Sequence, residues 1–92
     1  MRGSVVVTGA STGIGWGTVK VLRARGFHVY GSVRSGRDAE RLSTEFGAGF
    51  TPLLFDLTDR PAVFEASQAV KAALNGEPLC GLVNNAGIAP AP

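Results

Sequence analysis

Residues 4–15 read SVVVTGASTGIG, and the join inside that stretch decides the fold. Ser4–Thr8 is a β-branched run without polar alternation, the pattern of a short strand buried on both faces. From Gly13 to Arg25 the apolar or small positions Ile14, Gly17, Thr18, Val21 and Leu22 recur at helical spacing, so a helix with that stripe facing inward is expected. Between the two lies a turn with glycines at 9, 13 and 15. Glycine loses the most backbone entropy on ordering, so this much of it is costly unless bare backbone is needed. One use is a phosphate cradle, in which backbone N–H groups at the positive end of a helix meet a pyrophosphate. Gly9 then permits the sharp turn, Gly13 the close approach of the ligand, and Gly15 the packing of helix on sheet. The other reading is a turn that merely joins strand to helix. The spacing GxxxGxG differs from the common GxGxxG fingerprint, and no Lys-Ser or Lys-Thr follows to make a P-loop.

Working outward, the same alternation continues. Gly26 stops the helix, and a second strand is expected over about Phe27 to Val33. A helix from about Asp38 to Phe46 ends at Gly47 and Gly49, and a third strand covers Thr51 to Phe55, with Pro52 near its start. Asp59 is a good N-cap for a helix with Arg60 or Pro61 in its first turn and a stripe of Val63, Phe64, Ala66, Val70, Ala73 and Leu74. Asn75 and Gly76 end it before a strand over about Leu79 to Val83. The order βαβαβαβ implies parallel strands joined by right-handed crossovers. The expected fold is α/β: the first portion of a Rossmann-type doubly wound sheet, with strand order 3-2-1-4. Residues 1–92 form one partial dinucleotide-binding domain in this reading, and the fourth strand is left as an open edge.

Composition sets limits. Ninety-two residues with 45% apolar and 17% charged side chains describe one folded unit with a thin core. A net charge of +2 without a basic run gives no nucleic-acid stripe. Cys80 is the only cysteine and His28 the only histidine, so neither an internal disulfide nor a metal site is expected. No stretch reaches the length of a membrane span and the start lacks the apolar length of a signal peptide. A cytoplasmic location is the default. Cys80 is expected to be a buried small side chain, while Trp16 points away from the helical stripe and is either exposed or covered by another segment.

TGASTGIG (8–15), DLTD (56–59) and NNAG (84–87) each follow a different expected strand, in that order. The combination closely resembles the short-chain dehydrogenase/reductase family and spans nearly the whole chain. The resemblance implies that Gly9, Ser11, Thr12, Gly13, Ile14 and Gly15 bind the cofactor pyrophosphate and adenosine ribose. It further implies that Asp56 accepts a hydrogen bond from the adenine amino group with Leu57 beside the ring, and that Asn85, Ala86 and Gly87 lie by the nicotinamide ribose. For Asp56 a cap on the next turn is the alternative. Asn84 is expected to tie neighbouring strands together.

Cofactor choice is read at the end of the second strand. An acid about 20 residues after the glycine turn holds the ribose 2′-OH of NAD. That position here is Val33, followed by Arg34, whose guanidinium suits the 2′-phosphate of NADP, with Arg37 placed to assist. Many NADP-binding relatives carry a basic residue just before the second glycine, where this chain has Thr12. NADP(H) is favoured, with NAD(H) possible. The family's catalytic Ser, Tyr and Lys, the last two in a YxxxK turn, have no counterpart. The single tyrosine, Tyr30, lies in an expected strand, and Lys20 and Lys71 lie on helix faces. The expectation is therefore the cofactor-binding half of an oxidoreductase interconverting an alcohol and a carbonyl, an amino-terminal part of a longer enzyme that self-associates as a homo-oligomer. The alternative is a non-catalytic dinucleotide-binding fragment, or a truncated homologue acting as an interaction module.

Overall fold

The computed structural model describes residues 3–11, 13–55 and 59–84. Four strands and three helices alternate: β1 (Ser4–Thr8), α1 (Gly13–Ala24), β2 (His28–Val33), α2 (Gly36–Phe46), β3 (Phe50–Leu54), α3 (Arg60–Leu74) and β4 (Gly81–Asn84), with a 3-10 turn at Gly47–Gly49. All pairings are parallel and the sheet order is β3-β2-β1-β4, as the alternation predicts. In register, Val6 of β1 lies between Tyr30 of β2 and Leu82 of β4. β4 closes one side of the sheet as an edge strand.

The helix ends follow local chemistry. Ser35 caps α2 by accepting a hydrogen bond from the Asp38 N–H at 3.1 Å, so α2 starts at Gly36, two residues before the expected position. Asp59 caps α3 in the same way, accepting from the Ala62 N–H at 3.2 Å, with Pro61 in the first turn. Asn75 ends α3 in the left-handed conformation at φ 49°.

The core lies between one face of the sheet and α1 and α2, where Val5, Val7, Val19, Val29, Val33, Leu42 and Phe50 are buried together. Val6 and Thr8 project to the opposite face. There a cavity of about 430 Å³ runs beneath α3, between Val6, Leu53, Phe55, Val70, Leu74 and Leu82.

Two expected stripes are rotated. On α1 the inward positions are Gly15 and Val19, whereas Ile14 is 80% and Val21 53% exposed. Gly15 lies so close to the Gly9 carbonyl that a Cβ there would collide with it, and this contact fixes which side of the helix faces the sheet. Trp16 is then carried onto α2. Its Nε1–H donates to Glu45 at 3.0 Å, and its ring centre is 6.3 Å from that of Phe46. On α3, Val63, Ala66, Val70 and Leu74 turn toward the sheet while Phe64 and Ala73 face outward. Cys80 is exposed, because the stretch before β4 runs over the surface and not through the core.

Candidate functional site

The carboxyl ends of β1 and β2 meet at the glycine turn. As the chain leaves Thr8, Gly9 takes φ +66°, reversing direction in a conformation that side chains disfavour. Its N–H donates to Ser32 Oγ at 2.8 Å, and the next N–H, of Ala10, donates to the Ser32 carbonyl at 2.9 Å. Ser32 is 4% exposed and Ala10 is fully buried, so the base of the turn is pinned to β2. The N–H groups of Gly9 and Ala10 are spent on that pin. Any ligand must therefore meet the turn further along.

Further along the surface is open. Gly13 opens α1 at φ +60°, and a Cβ added there would touch nothing within 4 Å. Ile14 presents an exposed aliphatic side chain beside it. No acidic residue sits in the first turn of α1, so nothing on the helix itself opposes its positive dipole end. The opposite wall comes from α2: Arg41 Nη2 donates to the Ser11 carbonyl at 2.7 Å.

Arg34 follows β2 directly and is exposed, as is Arg37. Ser32 ties this strand end to the turn, so Arg34 stands two residues beyond the atoms that pin Gly9 and Ala10. The chain after β3 is held to β2 by the Phe55 N–H, which donates to the Val33 carbonyl at 3.0 Å. On the other side Thr8 pairs with Asn84, bringing the end of β4 level with the turn. Gly9, Ser11, Gly13, Ile14, Gly15 and Arg34 are thus gathered at one end of the sheet. Thr12, Asp56, Leu57, Asn85, Ala86 and Gly87 lie outside the described residues.

Two residues at this site escape a reading of the sequence. Ser32 acts across 23 positions and Arg41 across 30, so neither has a local signal. Tyr30 is 8% exposed inside β2, its ring 4.8 Å from that of His28, and Lys20 Nζ lies 5.3 Å over the Trp16 ring. Among the described residues no three His, Cys, Asp or Glu side chains gather to hold a metal ion, and no helix is long and apolar enough to cross a membrane.

The family described as short chain dehydrogenase matches residues 3–92. An NADPH-dependent 3-dehydrocapnine reductase of Ornithobacterium rhinotracheale is 42% identical over 84 residues, which cover 91% of this chain and 30% of that protein. A protein of Dichelobacter nodosus described as "Probable NADP-dependent dehydrogenase" is 38% identical over 85 residues, covering 92% of this chain and 78% of the relative. Among solved structures, a short chain dehydrogenases/reductase from Saccharomyces cerevisiae superimposes with a TM-score of 0.74 at 32% identity, over 90% of this chain and 33% of that one. Against most of these relatives, the chain spans about a third of their length.

Proposed function

The chain belongs to the short-chain dehydrogenase family, an oxidoreductase family that binds NAD(P), and from that premise we propose that residues 1–92 are a dinucleotide-binding unit that holds NADP(H). The whole activity proposed is the interconversion of an alcohol and a carbonyl. The observation that carries the reading is the open face at Gly13 joined, through Ser32, to a strand end followed by Arg34.

The residues fit the group. At Gly13 the backbone is bare and the space beside it empty, so a pyrophosphate can reach the N–H groups that open α1. Gly9 and Gly15 shape the turn, Ser11 borders it and Ile14 gives an apolar contact, and Thr12 is assigned to the same phosphate group. Arg34 pairs with the 2′-phosphate through a forked, charge-assisted contact. Asp56 and Leu57 receive the adenine, and Asn85, Ala86 and Gly87 the ribose on the nicotinamide side. When bound, the nicotinamide supplies or takes up the hydride of the reaction. The chain's own part is to bind and orient the dinucleotide.

Titration calorimetry with NADPH and NADH tests this. NADPH is expected to bind at least about tenfold more tightly, the size of a charged hydrogen bond. Arg34→Asp should reverse the order, and a variant that still prefers NADPH would contradict the assignment. A second reading, binding without chemistry, is favoured by the burial of the single tyrosine within β2. It predicts NADPH binding with no NADPH consumption when aldehydes and ketones are added.

A further inference from the structure

Arg41 is a cation that touches the glycine turn, and its charge has no role in the pyrophosphate and Arg34 contacts proposed above. Residues 8–15 contain no lysine or arginine of their own. From the second turn of α2, Arg41 sends Nη2 to the Ser11 carbonyl at 2.7 Å. The same nitrogen lies 3.4 Å from Asp38 Oδ1, a long contact between side chains that are 45% and 34% exposed. Exposed pairs of that kind are worth little, so Asp38 leaves most of the charge available. A guanidinium carries five N–H donors in a fixed plane. Both bonds use Nη2, so no described residue engages Nε or Nη1, and the side chain as a whole is 45% exposed.

The direction of approach matters. Pyrophosphate at a doubly wound site sits at the N-terminus of the first helix, and the group on the ribose 2′ position lies toward the end of the second strand. Ser11 lies between the Ser32 pin and Gly13 on the chain, and α2 begins right after β2. A side chain reaching Ser11 from α2 enters from the β2 side, the side of the ribose.

We infer that Arg41 is a specificity-determining residue, a second cation for the 2′-phosphate that acts beside Arg34. Its bond to the Ser11 carbonyl fixes the plane of the guanidinium, and the remaining donors face the phosphate. This deepens the NADP(H) reading above and rests on it.

The test is equilibrium titration of the 92-residue chain with NADPH and with NADH, in the unaltered protein and in Arg41→Gln and Arg41→Lys. Gln keeps a donor for the Ser11 carbonyl without the charge, and Lys keeps the charge without the fork. Arg41→Gln is expected to weaken NADPH binding about tenfold and NADH binding less than about threefold. Arg41→Lys should recover part of the NADPH affinity and leave NADH unchanged. The difference should shrink as salt is raised. If both nucleotides weaken equally, or neither does, Arg41 is only a brace and the inference is overturned while the Arg34 assignment stands. If the unaltered chain prefers NADH or binds neither nucleotide, the NADP(H) reading falls and this one falls with it.

Discussion

The two faces of the sheet are built from the same strands but packed to different degrees. On the α1–α2 face, Val5, Val7, Val29 and Leu42 are almost completely inaccessible, and an aromatic chain of Trp16, Phe46 and Phe50 bridges helix to helix and helix to strand. On the α3 face the cavity separates helix from sheet, Val70 is the only buried residue of α3, and Leu82 is 63% exposed. The proposed nucleotide site leans mainly on the closed face, where Gly15 against Gly9 and Arg41 of α2 set the turn, while Ser32 pins its base from the other side. Positioning backbone donors to within a fraction of an ångström needs rigid neighbours, and the closed face supplies them. Away from Ser32 the open face carries no comparable constraint.

The largest effect should come from emptying the closed face. Leu42 is fully buried beneath α2, and Leu42→Ala removes its packing while leaving a cavity behind. The expected loss is about 2–5 kcal/mol, which lowers the melting temperature by on the order of 10 °C or more in a chain this small. A loss under about 1 kcal/mol in chemical denaturation would mean that the two faces are equally loose.

That asymmetry marks where the sequence is legible. Strand order and element types follow from buried β-branched runs alternating with capped helices, so Asp59, Asn75 and the parallel sheet are readable in advance. Facing is harder. On α1 the apolar pattern favours Ile14 and Val21, yet one steric contact between Gly15 and the Gly9 carbonyl turns the helix about its axis. On α3 the apolar residues spread round so much of the helix that periodicity alone cannot choose between Phe64 and Val70. The glycines of the candidate site announce themselves because each meets a backbone requirement. Ser32 and Arg41 do not, since a hydroxyl or a guanidinium gains its role only from what folding brings beside it.

A smaller effect is expected from acid, at the far end of the open face. His28 and Thr51 project there, with His28 Nε2 2.8 Å from Thr51 Oγ1 and the Tyr30 ring packed on the imidazole. Burial, and then the positive charge of Arg23, hold the His28 pKa below its ordinary value of 6.5. The unfolded chain therefore takes up this proton more readily than the folded one. The stability linked to His28 is whole above pH 6.5, falls as the pH drops below it, and levels off once the folded chain is protonated too. His28→Gln should remove this step from the pH dependence of the melting temperature. The two proteins should then run parallel above about pH 7 and separate as the pH falls below 6.5, until the folded chain is protonated as well. Parallel curves throughout would show that the imidazole is as well solvated as in an unfolded chain.

The smallest effect is the one that most directly measures the contrast. Phe64 on α3 is 64% exposed, a large aromatic ring in the position the apolar pattern assigns to a core. If the open face is as loosely joined as its geometry indicates, Phe64→Ser removes little buried area. Stability should then change by no more than about 0.5 kcal/mol, the range for surface substitutions away from packed features. Solubility should rise, because an exposed aromatic ring is exchanged for a hydroxyl. A loss approaching that of Leu42→Ala would show that Phe64 is packed in solution, so that α3 contributes to the core as fully as α2 and the two faces differ only in which helix residues close them.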